Sequence, residues 1–229
     1  MQLFYLEDPK DEIILGAEES KHATKVLRKK EGDILNFTDG KGNLYKAEIT
    51  IADTRKCRLK TISSEQKEKQ HNYHLHIAIA PTKNMYRFEW FLEKATEIGI
   101  NEITPIICSH SERKTIKKER CKRILLSAMK QSLKYHLPKL NEAVSLTNFL
   151  ERNFDGKKYI AHCENGEKKD LKTINKTEKT IILIGPEGDF SPKEIELALE
   201  NQFKAVNLAT NRLRTETAGI IAVHTINII

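Results

Sequence analysis

The chain has 229 residues, 39% of them hydrophobic, which is enough for one large or two modest domains with a substantial buried core. Its 39 Lys and Arg residues against 32 Asp and Glu residues give a net charge of +7, which fits a polyanionic partner without establishing one. The longest apolar stretch, 218–229, is too short to span a bilayer, and residues 1–10 lack the basic start of a leader peptide. We therefore expect neither membrane insertion nor export.

The four cysteines lie far apart in the sequence, without a C-x-x-C spacing, at Cys57, Cys108, Cys121 and Cys163. This distribution argues against a zinc site and favours unpaired thiols in a reducing compartment. We expect a cytoplasmic protein with no bound metal.

Residues 1–70 have the pattern of a small β-barrel. Short β-favouring runs are separated by turn signals such as Asp39-Gly40, and one helix is predicted over 18–28. Many short strands in so few residues are typical of a barrel. The predicted strands cover 3–5, 13–15, 34–37, 44–51 and 57–62. The polar segment 63–72 is the predicted linker to a second domain.

Residues 73–229 have the pattern of an α/β domain, because strands alternate with helices. The first predicted strands cover 74–80, 103–108 and 159–163, and the first predicted helices cover 88–98, 118–133 and a short segment near Thr147. The polar stretch 164–179 is predicted to be an irregular surface loop.

Two strand-loop-helix units follow near the C-terminus. The apolar run 180–184 leads into the tetrapeptide 185–188, and Ser191 with Glu194 forms a capping box that begins a helix. A second short strand leads through a polar loop into an apolar helix that begins at Thr215. Two strand ends therefore present loops side by side, which is where open α/β sheets bind ligands.

These two loops resemble those of the RsmE family, the 16S rRNA uridine-N3 methyltransferases of the SPOUT class. In that family a Gly-Pro-Glu-Gly loop and a Leu-Gly-x-x-x-Leu-Arg-Thr-Glu-Thr-Ala loop hold S-adenosylmethionine, and residues 185–188 and Leu208 with 213–218 match them. Ala209 and Asp189 depart from the pattern, since the family usually has glycine at the first position and commonly at the second. Further matching segments, in the same order as in the family, lie at 22–27, 91–100, 111–113 and 131–132.

The resemblance implies a C-terminal SPOUT-type α/β domain with a trefoil knot, over 73–229, and a small N-terminal PUA-like or OB-like barrel over 1–70. Sequence pattern alone would suggest an ordinary doubly wound sheet, because threaded chains are nearly absent from protein folds. The implied cofactor is S-adenosylmethionine, the implied partner is 16S rRNA in the small ribosomal subunit, and the implied assembly is a homodimer.

The cofactor-binding residues that the resemblance implies lie in and beside the two loops. By itself the first loop would also fit a plain strand-to-helix turn, and the presence of the second loop favours the cofactor. These residues are Ile184, Gly185, Pro186, Glu187, Gly188, Leu208, Ala209, Asn211, Leu213, Thr215 and Thr217.

Arg214 and Glu216 are the candidate catalytic residues. A cation is unfavourable at a helix N-terminus, so we predict that Arg214 faces an RNA phosphate or a uracil oxygen. There it would stabilise the anion formed as N3 loses its proton. Glu216 could be the base, although the same carboxylate could cap the helix or bind Arg214. His162 and Cys163 should lie near the same cleft, where a structural role is expected.

Basic residues outside the cleft are candidate RNA contacts. Lys25, Arg28 and Lys30 lie on and just after the N-terminal helix, and Arg113 begins a second basic cluster. Such clusters are commonly solvated faces, but a barrel ahead of a methyltransferase domain favours a surface that contacts phosphates.

Two other functions are compatible with parts of the sequence. A SPOUT enzyme could act at another RNA position, on a ribose 2'-O or a tRNA base, but the final loop of this chain differs from that of the ribose-methylating branch. A non-catalytic RNA-binding or ribosome-assembly module would not need the intact loop 185–188 together with Arg214 and Glu216.

Overall fold

The computed structural model describes residues 2–69, 71–174 and 178–229. The chain divides into two compact units, Met1–Gln70 with Met129–Leu137, and His71–Ala128 with Pro138–Ile229. The predicted extent of the first domain did not include 129–137, because the first residues of this segment continue the predicted helix 118–133. The predicted domain extents, 1–70 and 73–229, stay predictions.

The first unit is built on a five-stranded curled sheet. Its strands are β1 (Leu3–Tyr5), β2 (Glu12–Ile14), β3 (Ile34–Thr38), β4 (Asn43–Ile51) and β5 (Arg58–Gln66), in the order β1-β3-β4-β5-β2. The pairs are antiparallel except β1 with β3. Phe4, Phe37, Ile49 and Leu59 are almost fully buried in its core. The sheet curls into half of a barrel, which agrees with the predicted small barrel.

Two boundaries predicted for this unit differ from those in the structure. The predicted helix 18–28 is a short α-helix, α1 (Ala17–Lys21), which continues as a π-helical segment, His22–Val26. The predicted linker begins too early, because Ser63 to Gln66 continue β5 and pair with Lys46 to Asn43 of β4. Their polar side chains are exposed, and the backbone ladder to β4 keeps them extended. Gln70 lies outside the described residues.

The second unit is an α/β sandwich around a parallel sheet. Its first elements are β6 (His74–Ile79), α2 (Met85–Ile98), β7 (Glu102–Ile107), α3 (Lys118–Gln131), β8 (Lys139–Leu140), β9 (Val144–Ser145) and α4 (Leu146–Leu150). The later elements are β10 (Lys157–Ala161), β11 (Lys169–Asp170), β12 (Lys179–Ile184), α5 (Pro192–Glu200), β13 (Lys204–Asn207) and α6 (Thr215–Ile228).

The parallel sheet has the order β11-β13-β10-β12-β6-β7-β8, with β9 also paired to β7. All of its pairs are parallel. Ile184, the last residue of β12, pairs with Ile79 of β6 and with Ala161 of β10, which are also the last residues of their strands. The strand ends are therefore level, and the loops after them leave from one edge of the sheet.

Helices cover both faces of this sheet. Helices α2 and α6 pack together on one face, where a Cβ added to Gly219 would meet Phe91 at 2.7 Å and Ile79 at 2.9 Å. On the other face, Phe149 of α4 and Ile195 of α5 join a core with Ala78 and Leu183. Side chains alternate between the two faces along each strand, so Ile79 packs against the α2 and α6 layer and Ala78 packs against the α4 and α5 layer.

The predicted irregular loop 164–179 contains ordered structure. Lys169–Asp170 is the edge strand β11, a 3-10 turn covers Leu171–Thr173, and Lys179 already belongs to β12. A two-residue strand has no recognisable sequence pattern, and β11 forms only because its backbone pairs with the edge of β13. Residues 175–177 lie outside the described residues. Within the described ranges, none of the helices is long and apolar enough to cross a membrane.

Candidate functional site

Three loops lie side by side at one edge of the parallel sheet. They follow β10, β12 and β13, which are neighbours in the sheet, and they span 162–168, 185–191 and 208–214. This edge, at the carboxyl ends of the strands, is where open α/β sheets bind ligands. Helix α6 begins where the third loop ends.

The three loops enclose a cavity of about 510 Å³, a size typical of small-molecule sites. Most of the predicted cofactor residues line it, and Arg214 lies at the same wall. The predicted residues that line the cavity are Ile184, Gly185, Pro186, Glu187, Leu208, Ala209, Asn211, Leu213, Arg214 and Thr215. The loop after β12 and the loop after β13 therefore form one site.

A buried hydrogen bond joins the two predicted loops. The Thr215 hydroxyl donates to the Gly185 carbonyl at 3.0 Å, and Thr215 is 5% exposed. Arg212 adds a longer contact from its Nη2 to the Glu187 carbonyl at 3.4 Å. The start of α6 is thus fixed to the end of β12, and residues of both loops line the cavity.

Asp189 ties the loop after β12 to the end of β10. Its φ is 61°, in the left-handed region that Asp, Asn and Gly adopt most readily. One carboxylate oxygen accepts the Cys163 N–H at 2.7 Å, and the other accepts the Phe190 N–H at 2.8 Å. The conformation explains how Asp can stand where glycine is common in the family.

The two glycines of the first loop have different surroundings. A Cβ at Gly185 would meet the Phe190 ring at 3.1 Å, and a Cβ at Gly188 would meet the Cβ of His110 at 2.9 Å. Gly185 lines the cavity, whereas Gly188 faces His110 on the outer side of the loop. The sequence predicted both as cofactor contacts, because the motif alone does not show which way each residue faces.

Glu216 lies away from the cavity, on the side of α6 that faces α2. It is 5% exposed, and one carboxylate oxygen lies 3.8 Å from Nε of Arg87. The other oxygen is buried and has no hydrogen-bond partner among the described residues. Thr217, also predicted to bind the cofactor, is not among the residues that line the cavity. The predicted catalytic pair is therefore divided, with Arg214 at the cavity and Glu216 behind it.

The loop after β10 supplies cavity residues that the family motifs do not include. His162, Cys163 and Lys168 line the cavity, and Lys168 Nζ donates to the His162 carbonyl at 2.8 Å. Burial, and then the nearby Lys168, lower the pKa of His162, so its ring is neutral at neutral pH. Burial and the Asp189 carboxylate raise the pKa of the Cys163 thiol. In the sequence, only the polar residues at the end of the predicted strand 159–163 indicated that this loop contributes to the site.

The predicted RNA contacts fall in both units. Lys25, Arg28 and Lys30 are exposed on the first unit, and Arg28 has a φ of 55°. Arg113 is half-buried in the second unit, and its guanidinium donates to backbone carbonyls of the same unit. Within the ranges that the structure describes, no group of three His, Cys, Asp or Glu side chains could hold a metal ion.

Two protein families match the chain. The RNA methyltransferase domain matches residues 68–227, and the RNA methyltransferase PUA domain matches residues 15–62. The protein named ribosomal RNA small subunit methyltransferase E from Rickettsia conorii is 30% identical over 217 residues, which cover 92% of this chain and 87% of that protein.

The fold of the chain is also similar to solved structures of methyltransferases. A probable rRNA-methyltransferase from Porphyromonas gingivalis is 40% identical, with a TM-score of 0.92, and the match covers 97% of this chain and 95% of that one. A methyltransferase from Legionella pneumophila, solved with its cofactor SAM bound, is 26% identical, with a TM-score of 0.87 and coverage of 98% and 96%.

Proposed function

We propose the function of this protein from the premise that the chain belongs to the RsmE family of RNA methyltransferases, the ribosomal RNA small subunit methyltransferases E. The protein is an S-adenosylmethionine-dependent rRNA methyltransferase, and it methylates N3 of a uridine in the 16S rRNA of the small ribosomal subunit. The observation that supports this most directly is a single cavity formed by both motif loops, with Arg214 at its wall.

The cavity has the features that S-adenosylmethionine requires. Its volume suits a ligand of that size, and residues 185–187 and 208–209 of the two motif loops line it. When bound, S-adenosylmethionine supplies a methyl group on a positively charged sulfur. Residues 185–187 and 208–209 would hold the cofactor, and the hydrogen bond from Thr215 to the Gly185 carbonyl fixes the two loops to each other.

Arg214 stabilises the target base during the reaction. Its side chain is exposed, and over the described residues it forms no hydrogen bond or ion pair. A free guanidinium beside the cofactor cavity can bind the uracil oxygen on which negative charge develops as N3 loses its proton. In-line methyl transfer needs little else from the protein than correct positioning of the two reactants.

In this proposal Glu216 supports the site and does not act as the base. Its side chain is 7% exposed and faces Arg87, so a uridine in the cavity does not reach the carboxylate. We propose that Arg87 and Glu216 hold the first turn of α6 and, through it, the backbone of Arg214.

The first unit supplies contacts to RNA phosphates through Lys25, Arg28 and Lys30. These side chains are exposed on or just after the first helical segment, as a phosphate-binding surface requires. We place the protein in the cytoplasm, where its rRNA substrate is made.

The protein acts as a homodimer through the α2 and α6 layer. Trp90 and Tyr86 lie one helical turn apart on α2 and are 41% and 72% exposed, and Ile228 at the end of α6 is 65% exposed. Large apolar side chains on two packed helices favour burial against a second copy.

Methyl transfer from labelled S-adenosylmethionine to small ribosomal subunits tests the function, with the modified nucleotide mapped by mass spectrometry. We expect one methyl group on a uracil base in 16S rRNA, and rRNA from a strain lacking the protein should lack it. Mapping of the label to a ribose or to tRNA would favour another SPOUT activity. Absence of cofactor binding by calorimetry would favour a non-catalytic RNA-binding module.

A further inference from the structure

The segment that follows β7 braces the first cofactor loop from outside the cavity. Among the described residues that line the cavity, none comes from 108–113. His110 nevertheless contacts the loop: its Nδ1 lies 2.9 Å from the Gly188 carbonyl oxygen and 3.1 Å from that of Asp189. The Ser109 N–H donates to the Glu194 carboxylate at 2.7 Å, at the start of α5. The loop therefore has a support that does not itself touch the ligand.

Arg113 extends this support to the segment between β6 and α2. Its Nη2 donates to the Lys83 carbonyl at 2.8 Å, and its Nε lies 3.2 Å from both the Thr82 and Lys83 carbonyl oxygens. Thr82 is fully buried. The guanidinium therefore fixes the backbone of Thr82 and Lys83 through several directed hydrogen bonds.

The same backbone segment contacts the cofactor loop. The Lys83 N–H donates to a carboxylate oxygen of Glu187 at 2.9 Å. Glu187 lines the cavity, but this hydrogen bond directs its carboxylate to the β6–α2 segment. A continuous series of contacts thus runs from Arg113 through Lys83 to the loop that the cofactor contacts.

We propose that Arg113 is a positioning residue for the cofactor loop, acting through the Lys83 backbone and Glu187. This inference rests on the proposed function, because the loop has to bind S-adenosylmethionine. It replaces the sequence-based prediction that Arg113 contacts RNA. A phosphate contact needs only a positive charge, which Lys also supplies, whereas the contact to two carbonyls needs the planar guanidinium with its several fixed donors.

Calorimetric titration with S-adenosylmethionine, applied to the wild type, Arg113→Lys and Lys114→Ala, separates the two roles. We expect Arg113→Lys to bind the cofactor about tenfold more weakly, as the loss of directed hydrogen bonds to a supporting segment predicts. Its affinity for small ribosomal subunits should stay within about twofold of wild type, since the charge is kept. Lys114 is exposed in the same segment, and its replacement should leave cofactor affinity unchanged.

Cofactor affinity equal to wild type in Arg113→Lys would overturn the inference, and so would a loss confined to subunit binding. Failure of the wild type itself to bind S-adenosylmethionine would instead overturn the proposed function. In steady-state assays the positioning role predicts a raised KM for the cofactor with kcat unchanged at saturation. A general folding defect would lower kcat and subunit binding as well.

Replacements of Glu187 give a second test that leaves Arg113 intact. Glu187→Gln keeps an oxygen that can accept the Lys83 N–H, so it should weaken cofactor binding less than Glu187→Ala, for which we expect a loss of about tenfold. Equal losses in both variants would mean that the carboxylate charge acts directly on the ligand, which contradicts the proposal.

Discussion

Arg214 is the N-cap residue of α6, and its own side chain does not cap the helix. We expect Arg214→Ala to lower kcat by roughly one to three orders of magnitude, the loss typical of removing one preorganised donor to a developing anion. Cofactor affinity, measured by calorimetry, should change little, because the backbone of the loop is retained. Normal turnover by the variant on saturating small subunits would assign Arg214 a structural or phosphate-binding role instead.

Gly188 tests whether the outer side of the first loop matters for cofactor binding. A Cβ there would meet the Cβ of His110 at 2.9 Å, so Gly188→Val must displace either the loop or the segment that supports it. We expect the variant to lose measurable S-adenosylmethionine binding by calorimetry while circular dichroism shows an intact fold.

Gly16 provides the matched control for this substitution. A Cβ at Gly16 meets nothing within 4 Å, and its φ of −63° suits any residue. Gly16→Val should therefore bind the cofactor as the wild type does. Equal affinity of both variants for S-adenosylmethionine would mean that the loop 185–188 is not part of the cofactor site.

The positions of individual site residues could be predicted only in part. Motif spacing brought Gly185, Leu208 and Thr215 to one cavity. It did not show that Glu216 faces α2, because a shift of one residue on a helix turns the side chain by about 100° and tertiary packing decides which face is inside. Similarly, Gly188 meets His110, a residue 78 positions earlier in the chain, and no local pattern records that contact.

Helix α6 is apolar on nearly every side, and its packing depends on Gly219. Alanine is favoured over glycine in a helix by about 1 kcal/mol, but overpacking a tight contact costs about 1–3 kcal/mol. A Cβ would meet the Phe91 ring at 2.7 Å, so we expect the packing cost to exceed the helix gain. Gly219→Ala should therefore unfold at a lower urea concentration than wild type. A higher urea midpoint would show that α6 moves to accommodate the methyl group.

Elements with strong periodicity were predicted, and those formed by tertiary pairing were not. The strand-loop-helix unit at β12 and α5 carries its own signals, including the capping box of Ser191 and Glu194, which the structure forms in full. Strands β8, β9 and β11 are each two residues long and exist only because a longer neighbour offers its edge. The knot of the SPOUT class was implied only by the resemblance, since threading leaves no mark on local pattern.

The first unit should bind RNA without affecting the cofactor. Replacement of Lys25, Arg28 and Lys30 by Glu removes three exposed cations, so affinity for small subunits should fall and its dependence on salt should become shallower. Cofactor affinity should be unchanged. If the slope of log affinity against log salt matches wild type, the RNA surface lies elsewhere.

The proposed homodimer can be tested by the mass of the protein in solution. Light scattering at micromolar concentration should give twice the mass of one chain, and Trp90→Asp should shift the protein towards the monomer, because it places a charge in the proposed interface. Leu199, 48% exposed on α5 at the opposite face of the sheet, is the control, and Leu199→Asp should remain a dimer. A wild-type monomer would mean that α2 and α6 are buried sufficiently within one subunit.

Residues 129–137 complete the first unit from a distant part of the chain. The Gly42 N–H donates to the Tyr135 carbonyl at 2.8 Å, and the Leu137 N–H donates to the Gly40 carbonyl at 2.8 Å. During translation, residues 1–70 leave the ribosome before these partners have been made, and roughly sixty further residues take several seconds at about 5–20 residues per second. The nascent sheet must therefore persist incomplete, with the turn at Gly40 and Gly42 unsupported, until residues 71–128 of the second unit have been synthesised.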